Sequence, residues 1–153
     1  MKKTFLKNKK NIQFLIIGLG LIGGSLAKRL SKNGFEVLAI DKKKSHLNHA
    51  KKSKIITGSL EKIDSTKKLF VIVALPPKIL LHNFDKYLDL FHKADFVTDC
   101  TSVKGSLINI IKKNKLESKF ILSHPIAGSE KSGFLNSNED LFRDKISIIS
   151  KHI

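Results

Sequence analysis

The sequence predicts an α/β domain of the doubly wound kind, a mostly parallel sheet with helices on both faces. Three observations lead there. Short apolar runs alternate with amphipathic stretches along most of the chain, the first run ends in Gly18-Leu19-Gly20-Leu21-Ile22-Gly23, and Asp41 closes the second. Successive parallel strands need a crossover, usually a helix, so this alternation favours a parallel sheet.

Each element has a local reason. Ile12 to Ile17 is apolar and ends at Gly18, as a strand buried on both faces does. Leu21 to Lys32 carries Leu21, Ile22, Leu26 and Leu30 on one side and Lys28, Arg29 and Lys32 on the other, and Asn33-Gly34 stops it. Phe35 to Ile40 is a second strand and Lys44 to Lys52 a polar helix. The stretch from Ile55 to Thr66 is expected to hold a short further strand. Leu69 to Leu75 is a strong strand terminated by Pro76-Pro77, and Ile79 to Phe91 has the spacing of one amphipathic helix. Asp95 to Asp99 is a strand, Lys104 to Lys113 a helix with Leu107, Ile108 and Ile111 inward, and Phe120 to Leu122 and Ile146 to Ser150 are the last strands.

The chain of 153 residues amounts to one domain, residues 12–153, after a basic extension, residues 1–11. No apolar run approaches the roughly 20 residues that span a bilayer. The basic start lacks the apolar core of a signal peptide. The single cysteine, Cys100, rules out an internal disulfide and fits a reducing cytoplasm. The formal charge of +16 is spread along the chain as lysine, with two arginines and no aromatic interleaving, which argues against a nucleic-acid or membrane surface. It still steers anionic ligands inward. No metal site is expected.

Gly18, Gly20 and Gly23 have the spacing of a dinucleotide fingerprint. In a Rossmann-type domain the first glycine makes the tight turn, the second lets backbone approach a pyrophosphate, and the third lets helix pack on strand. Leu19, Leu21 and Ile22 complete the turn, and the pyrophosphate sits on the helix N-terminus. Asp41 at the end of the second strand suits both ribose hydroxyls and repels a 2′-phosphate, so NAD is expected over NADP. Lys42, Lys43 and Lys44 could offset that repulsion, but they read first as a solvated helix start.

Two later stretches carry more chemistry, Asp99-Cys100-Thr101-Ser102-Val103-Lys104-Gly105 and His124-Pro125-Ile126-Ala127-Gly128-Ser129-Glu130-Lys131-Ser132-Gly133. With the glycine motif, in this order, they resemble the prephenate/arogenate dehydrogenase family of tyrosine biosynthesis, from Ile12 to about Ser150. The resemblance implies an NAD-dependent oxidative decarboxylation: hydride leaves C4 of prephenate for the nicotinamide, carbon dioxide leaves C1, and the ring becomes aromatic. The product is 4-hydroxyphenylpyruvate, or tyrosine from arogenate. It makes His124 the hydrogen-bond acceptor for the 4-hydroxyl, which suits a neutral imidazole. Ser102 then orients the imidazole or the substrate. Glu130, with Ser129 beside it, is placed near the pocket entrance in substrate binding or gating.

Simpler roles stand beside these. Ser102 is equally an N-cap for the helix near Lys104. Lys104 is a structural or cofactor-side lysine, Glu130 and Lys131 are equally loop charges, and Cys100 is a small packed residue. His46, His49, His82, His92 and His152 are taken as surface or core histidines. The family's second, helical domain, which supplies basic groups for the substrate's carboxylates, is expected to be absent from this chain. A homodimer or a separate helical chain then completes the enzyme, or the chain is a non-catalytic NAD-binding module. Arg29 on a helix surface and Arg143 in a loop do not replace that clamp.

Overall fold

The computed structural model describes residues 8–128 and 130–150. The first seven residues of the expected basic extension, and Ser129, lie outside the described residues. β1 (Ile12–Ile17) is apolar at all but one position because both of its faces are covered. Leu15 and Ile17 enter one core layer and Ile16 the other. The exception, Gln13, is fully buried and satisfied. Its Nε2 donates to the Lys62 carbonyl at 3.0 Å and its Oε1 accepts the Asp64 N–H at 3.1 Å, pinning the loop before the third strand.

The chain continues through α1 (Leu21–Lys32), β2 (Glu36–Ile40), α2 (Lys44–Lys52), β3 (Lys68–Val73), α3 (Pro77–His82), α4 (Leu88–Lys93), β4 (Phe96–Asp99), α5 (Gly105–Lys113), β5 (Phe120–Pro125) and β6 (Ser147–Ser150). The sheet order is β2-β1-β3-β4-β5-β6. All neighbours are parallel except β6, which runs antiparallel to β5. Ala27 of α1 and Ala50 of α2 pack in one layer with Ile16 and Ile72. Leu80, Phe91, Leu107 and Ile111 of α3, α4 and α5 pack in the other with Leu15, Val71 and Val97. The chain goes from β1 outward to β2, then crosses back to β3. The connections after β1 and β3 therefore diverge and leave a crevice at the carboxyl ends of the strands.

The structure departs from the periodicity in three places. The stretch 55–66 forms no strand: it touches the sheet edge through one parallel bridge, Leu38 with Gly58, and then turns through a 3-10 helix at Leu60–Lys62. The span 79–91 is two helices rather than one. Asn83 stops α3 by folding its Nδ2 onto the Ile79 carbonyl at 2.8 Å, and a 3-10 turn at Asp85–Tyr87 resets the chain. The break lets Phe84 and Phe91, both fully buried, meet with ring centroids 5.2 Å apart. Finally, β5 runs on to Pro125, because β6 pairs with Leu122 to Pro125 after β4 has ended opposite Leu122.

Candidate active site

Glycine chemistry shapes the turn after β1. Gly18 has φ of +96°, donates its N–H to the Ile40 carbonyl at 2.8 Å, and lies so near β3 that a Cβ would stand 2.8 Å from the Ala74 carbonyl oxygen. A Cβ on Gly23 would stand 1.9 Å from the Gly18 oxygen, so only glycine lets α1 approach the strand this closely. Gly20 differs. It is the N-cap of α1, and a Cβ there meets nothing within 4 Å. The first turn of α1 has no side-chain cap and no acidic residue, which leaves its amides and positive dipole end to an anion.

Asp41 lies just past β2 and is oriented by backbone donors. Leu19 N–H donates to Oδ2 at 2.6 Å and Lys43 N–H to Oδ1 at 2.7 Å. Gly18, Gly20 and Asp41 all line one cleft of about 950 Å³ at the carboxyl ends of β1, β2 and β3. Leu19, Leu21, Ile22 and Gly23 form the turn behind it. Three residues that local sequence did not single out share its wall: His46 from α2, Tyr87 from the turn before α4, and Phe134. Burial, and then the charge of Asp41, hold the Tyr87 hydroxyl above the ordinary range. Their common feature is distance along the chain from the glycine motif, for which sequence offers no local signal.

Phe134 arrives on a segment that crosses α1. Asn138 N–H donates to Ser25 Oγ at 2.9 Å, Lys28 Nζ donates to the Ser137 carbonyl at 2.7 Å, and Lys28 sits 5.0 Å from the centroid of the Phe134 ring. A Cβ on Gly24 would meet Ser137 Oγ at 2.8 Å, so a second close approach in the same helix admits this strap. Lys32 with Glu139 and Arg29 with Asp140 fasten its far end.

The second half of the site lies at the ends of β4 and β5. Asp99 is fully buried, and its carboxylate accepts from Lys104 Nζ and from Thr101 N–H, the latter at 3.0 Å. Lys104 Nζ also donates to the Ser123 carbonyl at 2.7 Å, and Ser123 Oγ donates to the Asp99 carbonyl at 2.7 Å. Lys104 is thus a clamp between two strand ends. His124 follows Ser123, half-buried in β5 and opposite Ile148 of β6. Ser102 is exposed on the turn that the clamp encloses. It does not cap α5, whose N-cap is Lys104 with no side-chain cap bond. No hydrogen bond joins Ser102 to His124 among the described residues. Burial, then the neighbouring Asp99, push the Cys100 thiol up to about 12, against a smaller opposing effect of Lys104, as suits a packed residue rather than a nucleophile.

The structure therefore brings Gly18, Gly20 and Asp41 together, and it ties the Ser102 turn to the strand carrying His124. His124, Ser102 and Glu130 stand outside the walls of the dinucleotide-sized cleft. Glu130 and Lys131 are exposed on the loop after β5. Among the described residues no group of three potential metal ligands occurs, and no helix is long and apolar enough to cross a membrane.

A family model described as the nucleotide-binding domain of prephenate dehydrogenase matches residues 26–152. A prephenate dehydrogenase of Lactococcus lactis subsp. cremoris is 30% identical over 145 residues, 91% of this chain and 41% of that protein. A solved prephenate dehydrogenase from A. aeolicus, in complex with hydroxyphenyl propionate and NAD+, is similar with a TM-score of 0.72 and 29% identity, over 90% of this chain and 50% of that one. An arogenate dehydrogenase from Synechocystis is similar with a TM-score of 0.74 and 25% identity, over 90% of this chain and 49% of that one. The chain spans less than half the length of the curated relative.

Proposed function

Because this chain belongs to the prephenate dehydrogenase family, matching its nucleotide-binding domain, we propose that it binds NAD and serves the oxidative decarboxylation of prephenate. The observation that carries this reading is the pairing of an uncapped α1 N-terminus with an oriented Asp41 carboxylate in one cleft. The amides of α1 hold a pyrophosphate, Asp41 accepts from ribose hydroxyls, and its charge opposes a 2′-phosphate, so NAD is favoured over NADP. When bound, NAD supplies the hydride acceptor. His124, as a neutral imidazole, accepts the hydrogen bond of the substrate's 4-hydroxyl and takes its proton as that carbon is oxidised. Ser102 orients the imidazole or the substrate, and Glu130 and Ser129 act at the pocket entrance. Arogenate, which the Synechocystis enzyme is named for, is the second substrate reading.

Residues 12–153 are the NAD-binding unit of this reading, and a helical unit completes it. Two observations support that. Arg29 and Arg143 are both engaged with Asp140, so neither is placed to hold the substrate's carboxylates. Ile146, Ile148 and Ile149, at the edge strand β6, are 72%, 57% and 65% exposed, an apolar edge beside His124 that a helical unit would cover. We place the reaction in the cytoplasm, where Cys100 stays a thiol.

The test is to mix the chain with NAD and prephenate and follow reduced nicotinamide by absorbance. NADH that disappears in His124→Asn supports the reading. NAD binding without NADH formation means that the helical unit must be added before turnover. Failure to bind NAD refutes the proposal.

A further inference from the structure

His46 lies in the first turns of α2, beside Asp41 on the wall of the same cleft. Its side chain is 17% exposed and that of Asp41 10%. His46 Nδ1 is buried and has no hydrogen-bond partner among the described residues, although Asp41 Oδ1 stands 3.5 Å away. That distance is too long for a good hydrogen bond, and Oδ1 already accepts the Lys43 N–H. The ring is held by Phe134, with centroids 6.3 Å apart. A buried nitrogen left unpaired in an otherwise satisfied site calls for a ligand group.

We propose that His46 is a second selector of the nucleotide's adenosine ribose, sharing one hydroxyl, the 2′-hydroxyl, with Asp41. This rests on the NAD-binding reading above. A hydroxyl both donates and accepts. Its O–H donates to the Asp41 carboxylate while its oxygen accepts from His46 Nδ1–H, so one group satisfies both side chains. A 2′-phosphate has no proton to give Asp41 at neutral pH, and a 2′-deoxyribose leaves both side chains unpaired. His46 thereby adds a preference for a 2′-hydroxyl over its absence to the choice against a 2′-phosphate that Asp41 makes by charge.

The experiment is calorimetric titration of NAD and of NAD carrying 2′-deoxyadenosine. Three proteins are compared. His46→Phe keeps a ring against Phe134 and removes the nitrogen. His46→Asn places a side-chain amide where Nδ1 stands. His46→Phe is expected to weaken NAD about tenfold, the scale of one lost hydrogen bond at a desolvated site, and to leave the deoxy compound unchanged. His46→Asn is expected to restore NAD binding. Unchanged NAD affinity in His46→Phe, or equal losses for both nucleotides, overturns the proposal while the cofactor reading stands. An unsubstituted chain that binds neither nucleotide overturns both.

Discussion

Lys104 Nζ bridges the buried carboxylate of Asp99 and the carbonyl of Ser123, the residue before His124. One side chain thus ties the end of β4, the turn bearing Ser102 and the strand bearing His124. The lysine itself is 22% exposed while Asp99 is not exposed at all, so the carboxylate has no recourse to water if the lysine is lost.

Lys104→Met is expected to destabilise the fold by about 3 kcal/mol, the cost of leaving a buried charge without its partner. The double variant Asp99→Asn/Lys104→Met should recover part of that loss. Urea denaturation monitored by circular dichroism checks both. A single variant within ~0.5 kcal/mol of the parent would show that the clamp contributes little.

The glycines of the first turn should separate folding from binding. Gly23→Ala forces a Cβ onto the Gly18 carbonyl and should cost about 3 kcal/mol or more. Gly20→Ala meets open space, so thermal unfolding should not change. Its NAD affinity should fall at least about tenfold, because the methyl group stands where a pyrophosphate approaches backbone. Retained affinity would move the phosphate site away from Gly20.

Asp41→Ser should shift preference from NAD toward NADP, since it removes the charge opposing a 2′-phosphate while Lys42 and Lys43 remain on the cleft wall. Titrations with the two nucleotides measure the ratio directly. An unchanged ratio would mean that the carboxylate serves only to hold the Leu19 and Lys43 amides.

In the assembled enzyme, His124→Asn should lower turnover by roughly 10²–10⁴-fold, the usual contribution of a general base. NAD affinity should stay within about threefold, because His124 lies outside the cleft wall. Initial rates paired with NAD titration test this, and equal losses in both would indicate a misfolded sheet edge instead.

Cys100 should resist alkylation. Its thiol is raised from 9.0 to about 12, so the folded state keeps the neutral form where the unfolded chain ionises. The resulting contribution to stability is complete below about pH 9 and is lost as pH climbs toward 12. At about pH 8, iodoacetamide should modify the native chain about a hundredfold more slowly than the urea-unfolded chain. Equal rates would place the thiol in contact with solvent.

Much of this was legible along the chain, for a local reason in each case. The apolar run Ile12 to Ile17 had to be buried on both faces, Asn33-Gly34 had to end α1, and only glycine tolerates the +96° φ at Gly18. The helical periodicity of 79–91 misled, because it records which residues are apolar and not that the Asn83 side chain claims a helix carbonyl. Likewise 55–66 has strand-like residues at Ile55 and Ile56, but these pack below α2 as its cap, with both N–H groups on the Ala50 carbonyl.

By itself the sequence determined the alternation of strands and helices in outline, the glycine turn at the end of β1, the carboxylate at the end of β2 and the strand that carries the chain into His124. Each follows from contacts within a few residues, where backbone sterics and burial period leave a visible pattern. Tertiary structure alone decided that His46, Tyr87 and Phe134 share one cleft with Gly18, that Lys104 serves Asp99 and Ser123, and that β6 returns antiparallel to extend β5 through His124. These depend on partners far apart in the chain, such as Lys28 with Ser137, whose meeting is set by how the layers pack and leaves no mark in either local segment.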